Sequence, residues 1–351
     1  MKILRPILGF ATLLLLTANA ATQVSLAPPP GQTPQTSGAP AEKSKAKPAA
    51  KRPAATPQPS ATPSATVIPA PVPDDPDLDL VYGAYQRGFY KTAFDLATKR
   101  AQENGDPKAM TMLGELYANA MGVKRDDTKA AEWYKRAADS GDREAMFELA
   151  MLRLAGRGGA VNREEAAKLL ASSAKLGNSK AAYNLALLYL DGQTLPQDLK
   201  RSAELLRIAA DAGSPEAQYA LATFYKEGTG VPKDPEKAVR LLQAASLADN
   251  VDAEVEYAIA LYNGTGTPKN ETAAVALLRK AARQNSPIAQ NRLARVLANG
   301  TPADRVEALK WHTIAKTAGK GDPELDDVLA KLSPEDRAKA DAAVRKWLGT
   351  K

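Results

Sequence analysis

The sequence predicts an all-α fold, a solenoid of antiparallel helix pairs, on three observations. A sequence motif returns every 36 residues. Within each unit the apolar residues recur at helical spacing. Alanine is abundant while aromatic residues make up only 5% of the chain, a composition that lets helices approach closely. Apolar residues reach 44% of the 351 positions, enough to fill a continuous core.

The chain opens with Lys2 and Arg5, an apolar run from Ile7 to Leu16, and Ala18-Asn19-Ala20. A charged start, short apolar core and small-residue site describe a secretory signal peptide over residues 1–20, cleaved after Ala20. The run is about half of the roughly 20 residues that a membrane span requires. The expectation is therefore a periplasmic or secreted protein with no stable membrane insertion after cleavage; an uncleaved signal anchor is the alternative. No cysteine follows the apolar core, which excludes a lipoprotein. Residues 21–76 hold fourteen prolines, from Pro28 to Pro76, among Ala, Thr, Ser and Lys. Such a segment cannot bury a core and reads as a disordered linker. Its basic group (Lys43, Lys45, Lys47, Lys51, Arg52) is either part of a solvated tether or a contact to an acidic envelope surface.

Charge and residue inventory narrow the function classes. Of the net charge of +7, residues 1–76 supply +4, from seven basic and three acidic side chains. The rest is nearly balanced, so the basic footprint of a nucleic-acid binder is missing. The absence of cysteine excludes disulfides, thiolate metal sites and thiol nucleophiles. The single histidine, His312, leaves no histidine-rich metal site; it reads as a packed structural residue. No metal and no cofactor are expected.

The repeat begins at Gly105, Gly141, Gly177, Gly213, Asp249, Asn285 and Gly321. Counting each as zero, offset 4 is alanine (Ala109, Ala145, Ala181, Ala217, Ala253, Ala289). Apolar or aromatic residues stand at offsets 8 and 12, as in Leu113/Tyr117 and Leu185/Tyr189. These form a helical stripe. Glycine at offset 15 (Gly156, Gly192, Gly228, Gly264, Gly300) ends that helix where a left-handed residue is wanted; repeat one has Ala120 instead. Asp or Asn at offset 21 (Asp126, Asn162, Asp198, Asp234, Asn270) reads as the N-cap of a second helix. A bulky pair at offsets 28 and 29, such as Trp133-Tyr134 or Leu205-Leu206, anchors it, and small residues follow. Repeat six is two residues shorter between Gly300 and Asp304 and regains them at Gly319-Lys320. Each unit is a helical hairpin that cannot bury its apolar face alone, so neighbours must stack. Residues 77–104 read as an N-terminal capping pair with Gly88 at its turn, residues 105–320 as six repeats, and residues 321–351 as C-terminal capping helices. Ser333-Pro334 starts the last helix, from about Pro334 to Leu348.

The run Ala109 to Tyr117, with Gly122-Val123, Asp126, Lys129-Ala130, Trp133-Tyr134 and Ala137-Ala138, resembles the Sel1-like repeat family, relatives of tetratricopeptide repeats. The resemblance spans roughly residues 80–350. It implies a right-handed superhelical solenoid used for protein–protein contacts, often in the bacterial envelope. Disulfide-stapled relatives differ from this chain, which has no cysteine, and their activities do not carry over.

On the first helix of each unit, offsets 3, 6, 10 and 13 point away from the core stripe. In tetratricopeptide arrays that side lines the concave groove. Here it carries Phe147, Tyr183, Tyr219 and Val255 at offset 6, Met151, Leu187, Thr223 and Ile259 at offset 10, and Leu154, Leu190, Lys226 and Tyr262 at offset 13. The candidate partner-binding residues are Phe147, Met151, Tyr183, Leu187, Tyr219, Thr223, Ile259 and Tyr262. An exposed apolar stripe marks an interaction site; curvature or contact with neighbouring helices would instead bury these positions as core. Repeats one and six offer polar or small residues there (Thr111, Glu115, Ala118; Asn291, Arg295, Ala298). The carboxylates form no evident acid/base pair. Gly228-Thr-Gly230 and Gly264-Thr-Gly266 fall in inter-helix loops without the strand or lysine of a phosphate loop. The expected function is a non-enzymatic scaffold, adaptor or regulator in the cell envelope that binds a protein partner through the groove. The alternative is an envelope enzyme or enzyme subunit acting on cell-wall material.

Overall fold

The computed structural model describes residues 79–349; the signal peptide and linker assigned above lie outside the described residues. The described part is all-helical, with sixteen helices and no strand. Two helices precede the repeats, α1 (Leu80–Gln86) and α2 (Tyr90–Asn104). Six hairpins follow, each with a first (A) and a second (B) helix. They are α3 (Pro107–Ala118) with α4 (Asp127–Asp139), α5 (Arg143–Ala155) with α6 (Arg163–Lys175), and α7 (Ser179–Asp191) with α8 (Leu199–Asp211). Then come α9 (Pro215–Glu227) with α10 (Pro235–Leu247), α11 (Val251–Asn263) with α12 (Glu271–Arg283), and α13 (Pro287–Leu297) with α14 (Pro302–Thr317). Two helices close the array, α15 (Pro323–Leu329) and α16 (Pro334–Leu348).

Each boundary has a local cause. Every A helix of the repeats is capped by the polar residue after the repeat start. Asp142, Asn178, Ser214, Asn250 and Ser286 all accept the backbone N–H three residues on, satisfying an otherwise orphaned donor. Asp126, Asn162, Asp198, Asp234 and Asn270 do the same for the B helices. Gly156, Gly192, Gly228 and Gly264 end their A helices in the left-handed conformation. In repeat one Ala120 takes that region with φ +57° although it carries a Cβ.

Repeat six departs from the expected pattern. Gly300 does not adopt positive φ; α13 ends earlier, at Leu297, with Ala298 right-handed. Thr301 is the N-cap of α14, and Asp304 completes a capping box by accepting the Thr301 backbone N–H at 2.9 Å. The shortened loop is thus converted into helix, and α14 runs for 16 residues.

A second loop glycine sets how repeats join. A Cβ on Gly122 would lie 2.6 Å from the Tyr90 carbonyl carbon, and one on Gly158, Gly230 or Gly266 would meet the backbone of Asp127, Leu199 or Pro235. Each of these four loops therefore rests directly on the first turn of the second helix of the preceding pair, too close for a side chain at that glycine. Repeat three has Thr194 at this position, and its hydroxyl is buried without a hydrogen-bond partner.

The core is built of small and branched residues. Offset-4 alanines and offset-8 leucines such as Leu113, Leu185, Leu221 and Leu293 are buried, with Leu170, Leu206, Leu242 and Leu278 facing them from the B helices. At the end of the array Trp311 and Trp347 meet edge to face at 5.1 Å, and Lys310 lies 4.1 Å from the Trp311 ring centre. His312 is buried, and its Nε2 is 2.8 Å from Asp326 Oδ1.

Candidate functional site

The faces of successive A helices are tied to one another by polar side chains. Tyr85 of α1 donates to Glu115 Oε1 of α3 at 2.6 Å. Thr111 of α3 donates to Asp142 at 3.1 Å. Asn178, the cap of α7, donates to Glu144 of α5 at 3.1 Å. Lys226 of α9 pairs with Glu256 of α11 at 3.1 Å. Arg295 of α13 pairs with Asp322, the cap of α15. The A helices therefore make one side-by-side layer, and the offset 6, 7, 10 and 13 residues run along it.

The eight predicted stripe residues divide into two groups. Phe147 and Ile259 are core, 8% and 5% exposed. Phe147 packs with Ala150, Leu170 and Leu185, and Ile259 with Val255 and Leu278. Met151, Tyr183, Leu187, Tyr219, Thr223 and Tyr262 are half-buried. Each tyrosine is wedged between repeats: Tyr183 packs on the cluster around Leu206 and Leu221, Tyr219 on that around Leu242. Tyr262 packs on the C-terminal cluster and carries Lys269 5.7 Å from its ring centre. Thr223 turns its hydroxyl back to the Tyr219 carbonyl, at 3.2 Å. Burial raises the phenol pKa of Tyr183, with Glu216 adding to it. Burial also raises that of Tyr219, helped by Glu256 and Asp252.

The two ends of the layer differ in charge. Toward the C-terminus, Lys226–Glu256 and Arg295–Asp322 are paired. Arg292, half-buried beside Arg295, has its pKa lowered by burial and then by that neighbour. Toward the N-terminus, two carboxylates sit close enough to repel. Burial raises the pKa of Glu115, against the opposing effects of the Tyr85 hydrogen bond and Lys180. Burial, followed by repulsion from Glu115, pushes Glu148 up to about 7. Tyr134 of α4 reaches the same place. It is 2% exposed, and its hydroxyl pKa is raised by burial, then by Glu148 and Glu115.

This cluster is not recognised in the sequence as an acid/base or binding pair. Its signal is a coupled departure from the repeat. Offset 9 is alanine in repeats two to six (Ala150, Ala186, Ala222, Ala258, Ala294) and glycine only in repeat one, Gly114. A Cβ there would lie 2.6 Å from the Tyr134 ring. Tyr134 in turn stands where other B helices place Leu170, Leu206, Leu242 or Leu278. Among the described residues no group of three or more His, Cys, Asp or Glu is placed to hold a metal ion. None of the described helices is long and apolar enough to cross a membrane.

The Sel1 repeat model matches residues 107–142, 143–178, 179–214, 215–250, 251–286 and 287–320. A Sel1 repeat protein from Oxalobacter formigenes is 26% identical, with a TM-score of 0.60, over 68% of this chain and 98% of that one. A protective antigen of uropathogenic Escherichia coli with the same repeat fold is 25% identical, with a TM-score of 0.65. That match covers 77% of this chain and 61% of the antigen. No curated protein matches the chain. Arrays of this kind generally act as protein-interaction scaffolds. With six consecutive units matched over more than half its length, the chain belongs to the Sel1 repeat family.

Proposed function

We propose that the chain is an exported, non-enzymatic binding module of the cell envelope that receives a protein partner on the A-helix layer. The observation that carries this reading is the run of half-buried apolar side chains, Met151, Tyr183, Leu187 and Tyr219, on three successive A helices. Each is packed enough to be held rigid and open enough to meet a partner, the condition under which aromatic residues anchor interfaces. The apolar run at residues 7–16 and the small residues Ala18 and Ala20 support export.

The test is affinity capture from envelope extract with tagged chain, comparing the natural form with a Tyr183→Ser/Tyr219→Ser variant. The expected result is a protein retained by the natural form and lost by the variant at an unchanged melting temperature. A large fall in melting temperature would show these tyrosines to be core only, and retention by both forms would place the partner elsewhere. Glu115 and Glu148 support a second reading, hydrolysis of cell-wall material. Turnover by a homogeneous sample, abolished in Glu148→Gln, would replace the scaffold reading.

A further inference from the structure

The acidic end of the A-helix layer has four features that the other repeats lack together. Glu148 accepts no hydrogen bond and forms no ion pair among the described residues, and Glu115 has only the Tyr85 hydroxyl. The cation whose field reaches both, Lys180, has its ammonium 6.0 Å from the Phe147 ring centre and pairs with neither. The Tyr134 side chain is 98% buried, and its hydroxyl, whose ionisation both carboxylates oppose, makes no hydrogen bond among the described residues. Gly114 is the adaptation that admits the Tyr134 ring between the helices. A repeat that only needed to pack would carry alanine and leucine at these two positions, as its neighbours do.

We propose that Glu115, Glu148, Tyr85 and Tyr134 form a receptor for one cationic side chain, lysine or arginine, presented by the protein partner. The proposal rests on the reading of the layer as a partner-binding face. The chemistry is complementary: two carboxylates without an ion-pair partner attract the cation, and a phenol without a hydrogen bond accepts one of its N–H donors. A guanidinium suits the arrangement, because its planar fork can engage two carboxylates at once. An anionic ligand is disfavoured by the same charges.

Binding must couple to protonation. The groups bearing on Glu148 are Glu115 from α3, Tyr134 from α4, Glu144 from its own helix, Arg157 just beyond it, and Lys180 from α7. Glu115 and Glu144 raise its pKa, Lys180 and Arg157 lower it, and burial dominates, for a value of about 7. Near neutrality the empty site thus holds a proton part of the time. A bound cation favours the ionised form and expels that proton.

The test is calorimetric titration of the purified full chain with tetra-arginine amide, using tetra-citrulline amide as the uncharged isostere. The experiment is run at pH 6 and pH 8, and at pH 7 in two buffers of different ionisation enthalpy. Tetra-arginine should bind about tenfold more weakly at pH 6 than at pH 8, releasing protons at pH 7; tetra-citrulline should not bind. Glu148→Gln should lose the proton release and most of the affinity. Tyr134→Phe, which keeps the ring packed against Gly114, should weaken binding several-fold and keep the proton release. Equal binding of both peptides, or unchanged affinity and proton release in Glu148→Gln, would overturn the proposal. A chain that binds tetra-arginine through Glu148 but captures no partner through the tyrosines would refute the groove reading and leave this one standing. The opposite pattern would refute this one alone.

Discussion

The two ends of the A-helix layer use the same backbone positions for opposite purposes. Offset 10 holds Glu115 in repeat one and Arg295 in repeat six; offset 7 holds Glu148 in repeat two and Arg292 in repeat six. At the C-terminal end Arg295 meets a carboxylate, Asp322, that is 4% exposed and also caps the next helix. At the N-terminal end Glu148 meets a second carboxylate and has no compensating ion pair. The repeat geometry therefore does not dictate whether a face stabilises the array or is held ready for a ligand. At offset 10 of repeat six the charge finds its opposite on α15; at offset 7 neither Glu148 nor Arg292 forms an ion pair among the described residues.

The comparison breaks most sharply at the paired end. Arg295→Met should cost about 3 kcal/mol, because it strands the buried Asp322 carboxylate, as read by urea unfolding at pH 7. A change below about 0.5 kcal/mol would show that the pair contributes like an exposed surface bridge. At the unpaired end the sign reverses. The folded-state pKa of Glu148 is raised from 4.5 to about 7, so the native chain binds this proton more tightly than the unfolded chain does. Stability from this group is full below pH 4.5 and is lost as pH rises to about 7. One pKa unit corresponds to about 1.4 kcal/mol, so Glu148→Gln should gain as much as about 3 kcal/mol at pH 8 and almost nothing at pH 4. A parallel pH profile for variant and natural chain would contradict the assignment of the shifted group. The smallest effect concerns the backbone of the same N-terminal repeat. Ala120 holds the left-handed position that glycine takes in the following four repeats. Ala120→Gly should raise stability by about 1 kcal/mol, measurable as a higher melting temperature.

Most of the fold is legible in the sequence because it is written periodically. Gly228 after an apolar stripe and Asp234 six residues later locate two helix ends by local chemistry alone. The exception at repeat six has the same kind of cause: with two residues fewer, Thr301 captures the role expected of a later residue, and Asp304 becomes its capping-box partner. The candidate site is less legible. Offset counting separates core side from outer side, but it cannot tell that Phe147 is covered by Leu170 and Leu185 while Tyr183, at the same offset, remains half-open. The acidic cluster is harder still. Glu115, Tyr134 and Glu148 come from three helices, and only the paired change Gly114/Tyr134 betrays that they meet.

The glycine that seats each loop on the preceding hairpin also bears on how the array fails. In a one-dimensional array, opening begins at the junction with the least favourable interface. Gly122, Gly158, Gly230 and Gly266 permit close seating, whereas Thr194 interposes a side chain and a buried hydroxyl without a partner. The junction of the third repeat with the second should therefore open first as urea is raised, read by amide exchange in α6 and α7; equal exchange at every junction would contradict this.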